Sequence, residues 1–180
     1  MSQLFQSTNY EIDQLLLAVW EHSVQVAAIA RALAGQCPGV MPDQAMLAGL
    51  LHDIGTLPIL YRAEERDELL DNPELLDQLI TRLHAGIGGA ILKHWKFPDT
   101  LVAVAAEHED LGRSHDGPAD LVDIVQVANL QSHINNDHPL SQAEWTQISS
   151  FHRLGLDVDV HEIELTDVAE EIDEVQKLFA

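Results

Sequence analysis

The sequence is short of positive charge, aromatic rings, cysteine and long apolar runs, and each shortage closes a route. Only 9 Lys and Arg stand against 30 Asp and Glu, a formal net charge of -21 over 180 residues. Nucleic-acid phosphates need a dense cationic surface and an anionic membrane repels such a chain, so neither is expected as a partner. The single Cys37 cannot close an internal disulfide. No charged-then-apolar leader and no long uncharged apolar stretch occurs, which argues against a signal peptide and a membrane span and makes a cytoplasmic location the default. Aromatics make up 5% and alternating β-branched runs are nearly absent, so no convincing strand is found. Internal repeats and low-complexity linkers are missing as well.

What is present favours helices. With 46% hydrophobic residues the chain can close one sizeable core, and the periodicity indicates an all-α, single-domain helical bundle of about seven to eight helices. Asn9 is placed to cap a long helix over Glu11 to Ala34. Pro42 suits the first turn of the next helix, which ends in His52-Asp53, and Gly55 suits a left-handed C-terminus. A helix is expected over Leu57 to Leu70, another over about Glu74 to Trp95 after Asn72-Pro73, and a buried one over Asp99 to Glu107. Within the second of these, Gly86, Gly88 and Gly89 cost helix propensity and point to close approach of another backbone. Leu111 to Pro118 reads as a loop and Leu121 to Ile134 as a helix with Asn129 its odd polar member. Ser141 and Glu144 have capping-box spacing, opening a helix to about Leu154, and a last helix is expected over Thr166 to Phe179. Nine acids without Lys or Arg between Asp157 and Glu174 read as a solvated face. In outline, 1–9 is an N-terminal arm, 10–135 the core, and 136–180 a helical extension packed on or beside it.

The stretch that organises the chain is Leu47-Ala48-Gly49-Leu50-Leu51-His52-Asp53-Ile54-Gly55-Thr56. A His-Asp dipeptide arises easily by chance in so His- and Asp-rich a chain, and His115-Asp116 is a second one. The apolar run before His52 sets the first apart: it delivers an imidazole and a carboxylate to the edge of a core, where polar groups require partners. His22, His84 and His108 occupy comparable positions on or at the ends of other helices. Imidazole and carboxylate are ligands for Mn, Fe, Zn or Ni, and spreading them over several helices is how a bundle builds a metal site in its core. Spacing alone does not distinguish this from coincidence: for any one of these histidines a hydrogen-bonded core or surface residue is the commoner reading, and only their pattern in order changes the balance. His94, His115, His133, His138, His152 and His161 are assigned no function, with His115 and His138 expected to face solvent. Trp20, Trp95 and Trp145 fall at core spacing, and Cys37 has no neighbouring base.

Five segments in order, Trp20-Glu-His22-Ser23, Leu47 to Gly55, His84-Ala-Gly86, Leu92-Lys-His-Trp95 with Phe97-Pro98, and Glu107-His108-Glu109, resemble the HD superfamily of metal-dependent phosphohydrolases, most closely its HDOD (HD-related output domain) branch. The resemblance covers roughly residues 10–135 and implies an HD-like helical fold. It implies His22, His52 and Asp53 as metal ligands, Asn129 at the position of the usual closing Asp, and His84 and His108 as the additional ligands of related HD-GYP enzymes. Asn129 offers a neutral carbonyl oxygen and so a weakened ligand position. Thr56 replaces the Lys that follows His-Asp-Ile-Gly in active relatives, and Glu107 to Pro118 lacks their Gly-Tyr-Pro signature. HDOD domains usually carry another helical segment ahead of the helix that bears the first motif, and only about ten residues precede that helix here, so a piece of a longer protein or a reduced member is expected.

Two functions follow. One is a bacterial signalling and regulatory module with a degenerate metal pocket, no phosphodiesterase turnover, and a protein partner or fused signalling domain. The other is a metal-dependent phosphohydrolase acting on a phosphoester or nucleotide through a mono- or dinuclear His/Asp site, with Asp53 catalytic and Thr56, Arg62, Arg82, Arg66 or Lys93 near the phosphate. The cofactor under either is one or two divalent ions, Mn, Fe, Ni or Zn, or none where the chemistry has lapsed. Oligomeric state is not legible in the sequence.

Overall fold

The computed structural model describes residues 7–134, 138–156, 174, 175 and 177. All regular structure among the described residues is helical: α1 (Tyr10–Gly35), α2 (Pro42–Leu51), α3 (Thr56–Glu64), α4 (Asp67–Leu70), α5 (Pro73–His94), α6 (Asp99–Glu107), α7 (Leu121–Ser132) and α8 (Ser149–Leu154), with 3-10 turns at Pro139–Gln142 and Trp145–Gln147. The last expected helix and the acidic stretch before it lie outside the described residues, apart from Glu174, Val175 and Lys177.

The bundle is built around α7. All twelve of its residues are buried, and its apolar members share one core with Val26, Ile29, Ala30 and Leu33 of α1, Ala45 and Ala48 of α2, Leu101 and Val104 of α6, and Phe151 of α8. A fully buried Leu, Ile or Phe side chain contributes roughly 1.5–3 kcal/mol, far more than helix propensity does. Location in this core therefore decides the helix. The N-terminal half of α1 packs elsewhere: Ile12 and Leu16 meet Ile59, Leu60 and Ala63 of α3 and Leu76 of α5 in a second cluster. α1 thus spans both clusters, with His22 between them. Its start follows the sequence, since Asn9 Oδ1 accepts from the amides of Glu11 and Ile12 at 2.9 and 3.2 Å.

Several local expectations are corrected. The helix expected over Leu57 to Leu70 breaks after Glu64 into α3 and α4, because five polar residues, Glu64 to Glu68, offer nothing to bury between Ala63 and Leu69. The capping box expected at Ser141 does not form. Ser141 Oγ instead donates to the His138 carbonyl at 2.7 Å, and the Glu144 carboxylate accepts from Gln147, so the segment winds into 3-10 turns before α8. A capping box does open α7, where Asp120 accepts from the Asp123 amide and Asp123 from the Asp120 amide, each at 3.1 Å. Trp95 is 56% exposed rather than core. Trp145, in contrast, stacks on Phe151 with centroids 4.8 Å apart.

Gly55 is not left-handed, with φ -70° and ψ -15°. Its requirement is space: a Cβ there would lie 1.9 Å from the His84 carbonyl oxygen and 2.5 Å from the Gly88 amide nitrogen. This is the backbone approach that the glycines of α5 signalled, made at Gly88, while Gly86 faces open space. Gly49 plays the same part between α2 and α1, its Cβ position lying 2.6 Å from Ala27 Cα.

A polar network ties the Leu111 to Pro118 loop and α8 to α7. Buried Asp123 receives Arg113 and Arg153 at 3.2 Å each and His115 at 3.0 Å, while the Ser150 hydroxyl lies 2.7 Å from Asp123 Oδ1 and from Gln126 Oε1. His115 is accordingly tied to Asp123 by a hydrogen bond and is not a solvent-facing loop residue. Burial would raise the Asp123 carboxyl, but bonds from Ser150, the Asp120 amide and His115, with the Arg113 charge, outweigh it and hold the group below its usual value. A carboxyl depressed in the folded state contributes stability that is full above the ordinary aspartate range. That contribution is lost as pH falls through the range toward the lower folded value. Asp123→Asn is therefore expected to flatten the acid limb of a thermal-melting profile below about pH 4, and an unchanged limb would remove Asp123 from the account.

Candidate metal centre

Four helices deliver imidazoles to one point. His22 comes from the middle of α1, His52 caps α2, His84 lies within α5, and His108 caps α6. Asp53 follows His52 in the turn before α3, and Gly55 lets that turn sit against α5. Close packing of the turn on α5 is what brings His84 to Asp53.

Backbone carbonyls aim the rings. A carbonyl can only accept, so His52 Nδ1–H donates to Gly49 O at 2.6 Å, His84 Nδ1–H to Ile80 O at 2.8 Å, and His108 Nδ1–H to Val104 O at 3.2 Å. Each Nε2 is then turned inward, the orientation that outer carbonyl partners impose on metal-binding histidines. The Nε2 atoms meet in pairs, His22 with His52 at 3.2 Å and His84 with His108 at 3.3 Å. Asp53 stands between the pairs. Its Oδ2 is 3.7 Å from His22 and 3.4 Å from His52, and its Oδ1 is 3.6 Å from His84 and 3.3 Å from His108.

The electrostatics match that geometry. Burial, reinforced by His52, pushes His22 down to about 4, and burial overrides the pull of Asp53 to bring His52 to about 4 as well. Both imidazoles are neutral at pH 7 and hold lone pairs for a cation. Burial alone would raise Asp53; its electrostatic interaction with the His52 ring, a hydrogen bond from His108 and the neighbouring His108 and His22 rings outweigh it and hold the carboxyl well below its usual range. His108 is shifted upward, since the bond and charge of Asp53 overcome the opposing effect of burial.

The donor set fits divalent transition ions. Two groups, His22/His52/Asp53 and Asp53/His84/His108, each bring ligand atoms within 4.8 Å of one another. Asn129, buried on α7, holds its Oδ1 without a hydrogen-bond partner among the described residues. It lines the same cavity as His22, Asp53 and His84, and an orphaned buried carbonyl oxygen in such a wall fits a cation ligand. A third group, His115/Asp120/Asp123, is already supplied with cations by Arg113 and Arg153.

The centre opens into a cavity of about 330 Å³. Its walls include His22, Asp53, Thr56, His84, Glu109 and Asn129, together with apolar Leu15, Val19, Leu60 and Ile80. Of the residues considered for phosphate contact, Thr56 is in this wall and buried. Arg62 pairs with Glu65, Arg82 stands exposed two positions before His84 and so on the other side of α5, and neither they nor Arg66 or Lys93 line the cavity. Sequence reading passed over His133 and His138, which also line it. His133 stacks on His22 with centroids 4.9 Å apart, and His138 on His133 at 3.8 Å. The signal was available for His133, four positions beyond Asn129 and hence on the same helical face. For exposed His138 there was none.

An all-helical scaffold enclosing histidines around a shared carboxylate defines a class of helical proteins with a candidate His/Asp metal centre. Within it, the chain belongs to the HDOD family, whose domain model matches residues 1–111. It is similar, at 27% identity and a TM-score of 0.76 over 96% of this chain and 64% of the other, to a crystal structure from Shewanella amazonensis SB2B named as a candidate metal-dependent phosphohydrolase. An HDOD domain protein of unknown function from Geobacter sulfurreducens shares the fold with a TM-score of 0.64 at 23% identity, over 91% of this chain and 63% of that one. An uncharacterized protein of Treponema pallidum (strain Nichols) is 26% identical over 164 residues, 83% of this chain and 30% of that protein. The chain thus spans less than a third of that relative's length and less than two thirds of either crystallised chain. The expected resemblance and the all-α fold are both borne out.

Proposed function

We propose that this HDOD chain is a signalling and regulatory module that binds divalent metal through His22, His52, Asp53, His84 and His108, with Asn129 a weaker sixth position, and does not turn over phosphoesters. The observation that carries it is the lining of the cavity. Asp53, Asp77 and Glu109 contribute carboxylates to its wall, and no Lys or Arg does so among the described residues. A phosphoryl group entering such a wall would have the bound ions alone, and no side-chain cation, to offset these carboxylates. Asn129 in place of an aspartate and Thr56 in place of a lysine reduce the charge available to a substrate further. A protein partner or fused domain would read the metal-bound state. In the Treponema relative the matching segment lies within a much longer chain, which supports a role beside other domains.

The second reading, a metal-dependent phosphohydrolase, is favoured by one observation, the position of Asp53 between two imidazole pairs. When bound there, divalent ions supply a water nucleophile near neutral pH and charge stabilisation. The chain's residues would hold those ions, and the apolar wall of Leu15, Val19, Leu60 and Ile80 would exclude bulk water from one side. Mn- and Fe-loaded protein, screened against mononucleotides, cyclic dinucleotides and simple phosphoesters, is expected to show no turnover above buffer. Hydrolysis that disappears in His52→Ala would replace the regulatory reading by the enzymatic one.

A further inference from the structure

The two halves of the centre are alike in imidazoles and unlike in charge. Asp53 gives one oxygen to each half, so its charge is shared. What distinguishes them is the next ligand outward. Beside the His84/His108 half stands Glu109, directly after His108 at the end of α6, with Oε2 3.6 Å from His84 Nε2. Its side chain is 29% exposed and lines the cavity, so it can swing inward without disturbing the core. Among the described residues the other half has no such carboxylate. Asn129 belongs there, because His133, one turn further along α7, stacks on His22. Asn129 supplies only the neutral, unpartnered Oδ1.

We infer that Glu109 is a metal ligand and that it inverts the order of the centre: the first ion binds at Asp53, His84, His108 and Glu109, and the His22/His52/Asp53/Asn129 half fills second and more weakly. This rests on the proposed metal binding at the same residues. The physical ground is charge. A hard divalent ion gains most from anionic oxygen, and affinity rises with the number of carboxylates in a site of fixed geometry. The His84/His108 half holds one whole carboxylate and a share of Asp53. The His22/His52 half holds the share alone. The Glu107-His108-Glu109 segment therefore compensates in charge for what position 129 lacks, although the two residues sit on different helices.

The test is a titration of chelator-stripped full chain with Mn²⁺ alone, following free Mn²⁺ by electron paramagnetic resonance and heat by calorimetry, for the wild type, Glu109→Gln, Asn129→Asp and His22→Ala. The wild type is expected to bind in two resolved steps. Glu109→Gln should weaken the first step by at least the roughly 10–100-fold that loss of an outer-shell partner costs a metal site, leaving two similar weak steps. Asn129→Asp should strengthen the second step until the two merge, and His22→Ala should lose the second step while keeping the first. Circular dichroism monitors folding, which the half-exposed position of Glu109 leaves intact. A first step unchanged in Glu109→Gln overturns the inference and leaves metal binding standing, as does a His22→Ala protein that loses the first step. A wild type that binds no Mn²⁺ overturns both.

Discussion

Asp53→Ala is expected to release every metal ion from the protein. Its two oxygens are the one feature common to both imidazole pairs, lying 3.3–3.7 Å from all four Nε2 atoms. Without them each pair retains two imidazole nitrogens and no carboxylate beyond Glu109 on one side. Loss of an outer-shell partner costs about 10–100-fold in metal affinity, and a residue serving two ions at first hand must cost more. Elemental analysis of protein purified without an affinity metal and then loaded with Mn, Fe, Zn or Ni should give one to two equivalents for the wild type and none for Asp53→Ala. His52→Ala should lose the ion of its own half and destabilise the fold as well, since the ring is fully buried and its departure leaves the Gly49 carbonyl unpaired. Full occupancy in Asp53→Ala would mean that the ions sit elsewhere.

The second large effect concerns a residue with no side chain. Gly55→Ala would put a methyl group 1.9 Å from the His84 carbonyl oxygen and 2.5 Å from the Gly88 nitrogen. Both obstacles are backbone atoms of a long helix and cannot rotate aside. The turn carrying Asp53 must therefore lift from α5, separating Asp53 from His84. Overpacking in well-packed interiors costs about 1–3 kcal/mol; with immovable backbone on both sides this substitution should reach the upper end, seen as a fall in the urea midpoint. Metal binding should weaken together with stability. Gly86→Ala on the same α5 is the control: it meets nothing within 4 Å and should stabilise by about 0.5–1 kcal/mol through helix propensity. Equal behaviour of the two variants would refute the close-approach argument.

Much of this was legible in the sequence, for identifiable reasons. Helices with one apolar side and a standard cap, such as α1 with Asn9 or α5 after Asn72-Pro73, are fixed by local rules, and their bounds agree to within a residue or two. The ordered motifs around His22, His52-Asp53, His84 and His108 pointed to the family the chain belongs to. Where local and tertiary demands differ, reading failed. The Ser141 capping box was locally sound but lost to a hydroxyl bond back to His138 and to the docking of Phe151. The arginine and histidine partners of Asp123 come from loops and α8, separations over which spacing carries no information. Gly55 was read for dihedral freedom when its actual constraint was a neighbour 29 residues onward. Glu109 stands in the last of the ordered motifs, but its weight depends on Asn129, a residue on another helix, so sequence order does not single it out.

The side chain of Gln126 gives the bundle a property that no single helix has. Its Nε2 donates to the Asp110 carbonyl at 2.9 Å and approaches that of His108 at 3.5 Å, while its Oε1 meets the Ser150 hydroxyl of α8. The end of α6, the middle of α7 and α8 therefore share one buried amide. Breaking any of these contacts strands a polar group in the interior, so the three segments gain little by opening separately. They should exchange their amide hydrogens as a single cooperative unit, with the protection of the His108 segment following that of α8 rather than that of α5 beside it. The C-terminal part of the chain would then set how often the histidine cluster comes apart, from a place that touches none of its ligands.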